Sequence, residues 1–249
     1  MKLFLKIKYN GTRYAGYQVQ DHSPTVQREL NIATADLFGF ECDITGCSRT
    51  DAGVHANEYF FNVRTESTIP AESFPVALAS AKLPKEISIY SCEEVDYEFN
   101  ARFDCVKKEY EYVIENTKIP SPFLYKRAFN HKYKIDVDLM NEAAQYMIGQ
   151  HDFASFCRVH TDVKTTLCHV MYAQWENGVF RIKADRFLRN MVRAVVGTLL
   201  DVGKRKVSIE AFQQIILAKN RCAAGQSAPA EGLYLVQIDY PENIFIDTI

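Results

Sequence analysis

The spacing of apolar and polar residues predicts a chain of short strands alternating with helices. Alternation with period two predicts strands, and these are Leu3–Tyr9, Cys42–Gly46, Tyr59–Val63, Glu86–Cys92, Lys108–Ile114, Cys168–Gln174, Val179–Ala184 and Leu233–Ile238. Apolar residues three and four apart predict helices, and these are Thr25–Phe38, Glu72–Leu83, Leu139–Met147, Phe187–Leu200 and Ile209–Ala218. Asn177-Gly178 lies between two predicted strands and is a strong hairpin signal.

Both halves of the chain follow approximately the element order β-α-β-β-α-β. This order is typical of the split-βαβ, or ferredoxin-like, unit. We therefore predict an α+β fold of two ferredoxin-like (RRM-like) units, residues 1–104 and 105–249, with Phe99–Cys105 as the crossover between them. We expect their antiparallel sheets to flank a central active-site cleft, since a cleft between two sheets is a natural place for a ligand.

Composition excludes several classes of protein. With 47% hydrophobic residues and only 11 Gly and 8 Pro in 249 residues, the chain is neither disordered nor collagen-like. The 29 basic and 31 acidic residues give a net charge of −2, which excludes a globally basic nucleic-acid binder. The charge is unevenly spread, however: residues 1–14 carry four basic and no acidic residues, and residues 185–206 carry six basic and two acidic ones. A local basic cleft is therefore compatible with the net charge.

The pattern of cysteines and the sequence of the N-terminus indicate the cellular compartment of the protein. The seven cysteines are odd in number, scattered and without a Cys-x-x-Cys pair, so we expect reduced thiols, no disulfide framework and no zinc site. Charged residues interrupt the N-terminal apolar positions, which argues against a secretory signal, and apolar runs fall short of the ~18 residues of a membrane span. We predict a cytoplasmic protein without membrane association.

The segment Gly46–Ala56 places Asp51 among an arginine, a threonine, a glycine and a histidine. Three interpretations are open. Asp51 could cap a turn in a surface loop, which the pattern taken alone favours. It could bind a metal with His55, although further ligands at suitable spacing are missing. It could also be a catalytic carboxylate whose ionised form an arginine such as Arg49 stabilises.

A family resemblance decides between these interpretations. Cys47–Ala56 resembles the R-T-D-A-G-V-H motif of the tRNA pseudouridine synthase A family. Further segments resemble that family in the same order, namely Tyr9–Gln18, Thr25–Gln27, Asn100–Phe103 with Lys108–Tyr112, Phe187–Gly197 and Ala228–Leu233. Asn10, Tyr17 and Ser48 differ from the family's common residues, and Cys157–Lys164 departs from its pattern, so we assign no RNA contacts there.

The resemblance implies an isomerase that converts uridines at positions 38 to 40 of the tRNA anticodon stem-loop to pseudouridine. The N–C glycosidic bond is broken and a C–C bond is made through C5 of the uracil. The resemblance implies no cofactor and no catalytic metal, tRNA rather than DNA as the partner, and a homodimer.

The resemblance also implies the residue roles. Asp51 matches the essential aspartate, which acts as a nucleophile or electrostatically, at C1′ or at the uracil ring. Tyr110 matches the active-site tyrosine that stacks on the flipped uracil and takes part in proton transfer, whereas Tyr112 on the same strand face is expected in the core. Arg193 matches the arginine that pairs with Asp51, and Arg49 matches the arginine that inserts beside the flipped base or grips a phosphate.

Further basic residues are expected to position the RNA. Arg102, Lys108 and Arg189 are expected to join Arg49 and Tyr110 in binding substrate. Within the predicted helix from Phe187, spacing of i, i+4 and i+8 places Arg189, Arg193 and Gly197 on one face.

A second hypothesis is a non-catalytic RNA-binding module of two RRM-like units. Such a module would show the aromatic signature [KR]-G-[FY]-[GA]-F on a central strand, which the chain lacks. Release of tritium from 5-tritiated uridine in tRNA separates the two hypotheses, because a binding module would release none.

Overall fold

A computed structural model describes residues 1–81, 83–158 and 164–244. It is a mixed α+β protein with mainly antiparallel strand pairs. Two compact units are formed, one from Met1–Val106 with the described residues from Leu235 onward, the other from Lys107–Tyr234. Residues 159–163, within the segment that departs from the family pattern, lie outside the described residues.

The first unit is built around a sheet with two helices. Its strands are β1 (Lys2–Tyr9), β2 (Ile44–Gly46), β3 (His55–Arg64), β4 (Ile87–Val95) and most of β10 (Leu233–Asp239). The strand order is β4-β1-β3-β10, and β2 pairs with β3. Strand β1 is antiparallel to both of its neighbours. Helices α1 (Val26–Phe38) and α2 (Phe74–Ser80) complete the unit.

Local sequence explains the first strand and the first helix. On β1 the side chains of Leu3, Leu5 and Ile7 are fully buried at alternate positions, as period-two patterning predicts. Thr25 is the N-cap of α1, since its side chain accepts a hydrogen bond from the backbone N–H of Arg28. The predicted strand Leu3–Tyr9 and helix Thr25–Phe38 are thus confirmed to within a residue.

The second unit contains five strands and three helices among the described residues. Its strands are β5 (Lys107–Glu115), β6 (Phe129–Asn130), β7 (Gly149–Asp152), β8 (Leu167–Glu176) and β9 (Val179–Ala184). They follow the order β5-β9-β8-β7, and β6 pairs in parallel with β5. The helices are α3 (Val137–Gln145), α4 (Met191–Gly203) and α5 (Ile209–Ala218). Asn177 and Gly178 both have positive φ, as the predicted tight hairpin requires.

The predicted helix Glu72–Leu83 is wrong in extent. A 3-10 turn covers Ala71–Ser73, α2 then spans Phe74–Ser80, and Ala81 is extended. Pro75 explains the late start, because a residue without an N–H is tolerated only in the first turn of a helix. The short strands β6 and β7 were not predicted, since two to four residues are too few for a periodic signal.

The predicted start of the helix Phe187–Leu200 is also wrong. Helix α4 begins only at Met191, because Asn190 adopts a left-handed conformation with φ 66°. Asparagine tolerates this region, and the Asn190 side-chain amide donates to Ser227 Oγ at 2.6 Å. Arg189 consequently precedes the helix, so it does not share a helical face with Arg193 and Gly197 as predicted.

Two further observations concern the cysteines and the membrane. All seven cysteines lie in the described part of the chain, and none of them forms a disulfide. Over the described ranges, no helix combines the length and apolarity needed to cross a bilayer.

Candidate active site

Asp51 lies in the loop Cys47–Val54, which joins β2 to β3. Its side chain is half-buried, the preceding Thr50 is buried and Arg49 is exposed. The backbone N–H of Val54 donates to the carbonyl of Asp51 at 3.2 Å, which closes a tight turn of the chain that begins at Asp51. The loop therefore carries an exposed cationic residue and a half-buried acidic residue on either side of the buried Thr50.

The segment Gly11–Tyr17 makes two hydrogen bonds with this loop and a third with His55, the first residue of β3. The N–H of Tyr17 donates to the carbonyl of Thr50 at 3.2 Å, and the N–H of Gly53 donates to the carbonyl of Tyr14 at 3.1 Å. The N–H of Gly11 donates to Nδ1 of the buried His55 at 3.1 Å. Asp51 is thus fixed from both sides by a segment that is distant in sequence.

Buried tyrosines on the strands complete the support of the loop. The hydroxyl of Tyr9 and Oγ1 of Thr50 form a buried hydrogen bond of 2.8 Å. The hydroxyl of Tyr59 donates to the carbonyl of Ser48, and the Tyr17 ring stacks on the Tyr59 ring with centroids 4.4 Å apart. Burial raises the pKa of Tyr59 well above its usual value, so its hydroxyl keeps the proton that it donates.

The sequence patterns predicted no role for Tyr9 or Tyr59, and they suggested His55 only as a possible metal ligand beside Asp51. The available signal was weak, because Tyr9 and Tyr59 only occupy inward positions of period-two strands. Such a pattern does not distinguish a tyrosine whose hydroxyl supports a loop from an aromatic residue that only packs in the core.

Replacing Thr50 by valine is expected to destabilise the protein by about 1–3 kcal/mol, because the Tyr9 hydroxyl loses a buried partner while the volume is conserved. Urea unfolding measures this change. The matched control is Thr68→Val at an exposed position, which should change the free energy of unfolding by less than about 0.5 kcal/mol. Equal values for the two variants would show that the Thr50 hydroxyl has no special role.

Tyr110 and Lys108 lie on the same face of β5 in the second unit. Lys108 is half-buried opposite Ala184, and Tyr110 is buried opposite Ile182. The Tyr110 ring packs edge-to-face on Phe187, with centroids 5.0 Å apart and an interplanar angle of 83°. Phe187 precedes α4, so the ring of Tyr110 is oriented by one of the segments that resemble the family.

Tyr112 continues this face of β5 but is fully buried. Its hydroxyl donates to the carbonyl of Pro229 at 2.7 Å, and burial raises its pKa. Its ring is packed tightly enough that a Cβ added at Gly232 would come within 2.9 Å of two ring carbons. Tyr112 is therefore fully engaged within its own unit.

Arg193 occupies the first turn of α4 and is half-buried. Its Nε donates to the carbonyl of Ala228 at 2.7 Å, and the N–H of Ala228 donates to the carbonyl of Arg193 at 2.9 Å. One turn later, Gly197 approaches Gln226 so closely that an added Cβ would overlap the Gln226 carbonyl oxygen. Arg193 and Gly197 thus face the same segment, and the bond from Nε sets the orientation of the guanidinium plane.

The other predicted binding residues are exposed. Arg102 places its guanidinium carbon 5.5 Å from the centroid of the Phe103 ring. Its loop is pinned at Ala101, which donates its N–H to Asn62 Oδ1 at 2.8 Å. Arg189 is exposed before α4, and Arg49 is exposed beside Asp51.

The seven predicted site residues are divided between the two units. Arg49, Asp51 and Arg102 belong to the first unit, and Lys108, Tyr110, Arg189 and Arg193 belong to the second. Within the part of the chain that the structure describes, no three His, Cys, Asp or Glu side chains come together as ligands for a metal ion.

Comparison with known proteins gives matches along nearly the whole chain. A family model described as tRNA pseudouridine synthase matches residues 6–104 and 143–241. The tRNA pseudouridine synthase A of Parabacteroides distasonis is 41% identical over 248 residues, which cover 98% of each chain. The enzyme of the same name from Acetivibrio thermocellus is 42% identical over 240 residues, covering 95% of this chain and 98% of that one. The Bacillus pumilus enzyme is 40% identical over 246 residues, or 96% and 99% of the two chains.

Matches that cover nearly the whole chain identify the protein as an isomerase that modifies RNA. The chain belongs to the tRNA pseudouridine synthase family.

Proposed function

We propose that this protein converts uridines at positions 38 to 40 of the tRNA anticodon stem-loop to pseudouridine, with Asp51 as the catalytic nucleophile. The observation that carries the proposal is the half-buried Asp51 in a loop fixed by Gly11–Tyr17, in a chain of this family. A catalytic carboxylate must be held within a fraction of an ångström of its productive position, which such a loop provides.

The proposed reaction is an isomerisation that needs no external oxidant or reductant. The N1–C1′ bond breaks and a C5–C1′ bond forms, C5 loses its hydrogen as a proton, and N1 gains a proton. Asp51 attacks either C1′ or the uracil ring and leaves again at the end. A carboxylate suits both routes, because it stabilises an oxocarbenium-like sugar and is a competent leaving group.

In the proposal, Arg193 is the ion-pair partner of Asp51. The N–H at Nε donates to the carbonyl of Ala228. A guanidinium has five N–H donors in a planar arrangement that matches the geometry of a carboxylate. The fixed orientation of the plane supports this role, because a pre-oriented arginine loses less side-chain entropy when it pairs.

The proposal assigns Tyr110 to base stacking and proton transfer, and Arg49, Arg102, Lys108 and Arg189 to binding of the tRNA. The exposure of Arg49, Arg102 and Arg189 supports these assignments, since phosphate contacts require accessible guanidinium groups. A target uridine in or beside a duplex must also be unstacked before it reacts, which gives Arg49 beside Asp51 a role in displacing the base.

The finer architecture is also a proposal. We take residues 1–104 and 105–249 as two ferredoxin-like units of a cytoplasmic homodimer. The order β1-α1-β2-β3-α2-β4 in the first unit supports this assignment, since it is the split-βαβ order. The mass of the protein in solution tests the homodimer.

Tritium release from defined tRNA transcripts tests the function. The protein should release tritium from a transcript in which every uridine is tritiated at C5. It should release none when the uridines at positions 38 to 40 are replaced by cytidine, because the C5 hydrogen is lost only where the new C–C bond forms. Release that persists in the substituted transcript would place the modification elsewhere, and tRNA binding without any release would favour the binding-module hypothesis.

Replacing Tyr110 by phenylalanine is expected to lower kcat about 10²-fold or more with little change in tRNA affinity, since only the hydroxyl that moves a proton is lost. The matched control is Tyr112→Phe two residues along the strand. It removes the hydrogen bond to Pro229 and should cost about 1–3 kcal/mol of stability without a comparable loss of kcat. If Tyr110→Phe changed only affinity, Tyr110 would be a binding residue.

A further inference from the structure

The segment Ala224–Ala228 lies along helix α4 and carries the carbonyl group that orients Arg193. At one end, the carbonyl of Ala228 accepts a hydrogen bond from Nε of Arg193 at 2.7 Å, and the N–H of Ala228 donates to the carbonyl of Arg193 at 2.9 Å. Towards the other end, the N–H of Gly225 donates to Oγ1 of the buried Thr198 at 2.9 Å. The orientation of the Arg193 side chain therefore depends on the position of this segment.

The half-buried side chain of Arg221 forms three hydrogen bonds with the same segment. Its Nη1 donates to the carbonyls of Ala224 and Gly225 at 3.3 and 3.1 Å, and its Nη2 donates to Oγ of Ser227 at 3.1 Å. A planar guanidinium presents its donors in a fixed arrangement, which suits acceptors that lie this close together in the chain. Arg221 thus fixes the conformation of the residues that lead to Ala228.

The hydroxyl of Ser227 connects Arg221 to the start of α4. Besides the bond from Arg221, its Oγ accepts a hydrogen bond from the side-chain amide of Asn190 at 2.6 Å. A hydroxyl oxygen has two acceptor lone pairs, so these two donors use its full capacity as an acceptor. Asn190 is the N-cap residue of α4, and Arg193 is the third residue of that helix. One network therefore holds both the helix that carries Arg193 and the carbonyl that binds its Nε.

We propose that Arg221 is a positioning residue for pseudouridine formation. It holds the segment Ala224–Ala228 so that the carbonyl of Ala228 keeps the guanidinium plane of Arg193 in the orientation in which it pairs with Asp51. The pairing of Arg193 with Asp51 belongs to the proposed function, on which this inference rests. The donors of Arg221 bind the segment, so Arg221 acts through Arg193 and not on the RNA.

The physical basis of this role is pre-organisation of the Arg193 side chain. When the segment is not held, the carbonyl of Ala228 moves and the guanidinium of Arg193 samples several orientations. A charged group stabilises a reacting carboxylate only while their geometry is maintained, and a misplacement of about 1 Å costs about 10²-fold in rate. Binding of tRNA does not depend on this geometry, so the loss falls on kcat.

Replacing Arg221 by lysine is expected to lower kcat for tritium release from tRNA about 10- to 50-fold, with Kd within about twofold of wild type. Lysine keeps the positive charge, but its compact ammonium lacks the fork that reaches three acceptors. The matched control is Arg181→Lys, the same change at a half-buried arginine of β9 whose Nε donates to Glu111 Oε1 at 2.7 Å. This control should leave kcat unchanged. Circular dichroism and the Tm show whether each variant is folded at the assay temperature.

Ser227→Ala is a second variant, which tests the same network if Arg221→Lys does not fold. It removes only the hydroxyl that accepts from Asn190 and Arg221. Because alanine is smaller than serine, the change creates no steric conflict. We expect kcat to fall about 3- to 10-fold, the equivalent of one net hydrogen bond, with Kd unchanged.

A spectroscopic measurement tests the positioning step without reference to catalysis. In protein labelled with ¹⁵N-arginine, the Nε–H signal of Arg193 is assigned by its loss in Arg193→Lys. Exchange of this proton with solvent should be at least about 10-fold faster in Arg221→Lys than in wild type, because a hydrogen-bonded proton exchanges when its bond opens. Arg181→Lys should leave the exchange rate unchanged.

The outcomes distinguish this inference from the proposed function. If wild-type protein releases tritium but Arg221→Lys and Ser227→Ala keep the wild-type kcat or change only Kd, the positioning role is overturned while the function stands. Unchanged exchange of the Arg193 Nε–H in Arg221→Lys, or an equal loss of kcat in Arg181→Lys, also overturns it. If wild-type protein releases no tritium, the proposed function fails, and the exchange rate still shows whether Arg221 orients Arg193.

Discussion

Replacing Asp51 by asparagine is expected to slow tritium release from tRNA by at least about 10³-fold, with a change in Kd of less than about threefold. Asparagine has nearly the same shape, so the loop bonds at Thr50 and Gly53 persist. It has no negative charge, however, and therefore neither attacks carbon nor stabilises a cationic sugar. Tritium release under single-turnover conditions and filter binding of tRNA measure the two quantities.

The matched control for this prediction is Asp43→Asn. Asp43 is an exposed carboxylate just before β2 in the same unit, so its loss changes the net charge equally and should leave the rate unchanged. Turnover of Asp51→Asn at a rate near wild type would contradict the assignment of Asp51 as nucleophile. A parallel loss in both variants would indicate a general effect of charge on RNA binding.

Replacing Gly16 by alanine is expected to lower both the stability and the activity of the protein. Gly16 has φ +113°, and an added Cβ would lie 2.6 Å from the carbonyl oxygen of Thr50. The backbone beside Asp51 must shift to admit it. We expect a loss of stability of about 2–4 kcal/mol from combined backbone strain and overpacking. We also expect a fall in kcat of about 10²-fold, because a displacement near 1 Å disrupts catalytic geometry.

Gly39→Ala is the control that separates strain from displacement. Gly39 also has a positive φ of +78°, but an added Cβ there meets no atom within 4 Å. The variant should lose about 1 kcal/mol of stability and keep its kcat. If kcat fell equally in both variants, the contact of Gly16 with Thr50 would not explain the loss. Thermal unfolding and tritium release measure both effects.

Sequence predicted those parts of the fold that depend on local patterning. Strand β9 (Val179–Ala184) and helix α5 (Ile209–Ala218) have the predicted bounds, since alternation and helical spacing extend to their ends. The start of α4 was missed because Asn190 adopts its left-handed conformation beside Ser227, a residue 37 positions away. Local propensity does not report such a partner.

The candidate site likewise has features that the sequence predicted and features that only the structure revealed. The motif around Asp51 identified the family from sequence alone, because a long run of specific residue types carries chemistry whatever its surroundings. Sequence did not reveal that Tyr9 supports Thr50 from 41 residues away, or that Arg193 is oriented by Ala228. Such contacts join residues that only the folded chain brings together, and their energies depend on burial.

Sequence by itself thus determined the family, the candidate catalytic residues and most strands and helices, because motif and periodicity are properties of neighbouring residues. Tertiary structure decided how the Asp51 loop is supported, where α4 begins and that Phe123, Tyr125 and Tyr133 are exposed. The physical reason is that burial and hydrogen-bond partners are set by residues distant along the chain, so the same side chain can be core, support or binding surface.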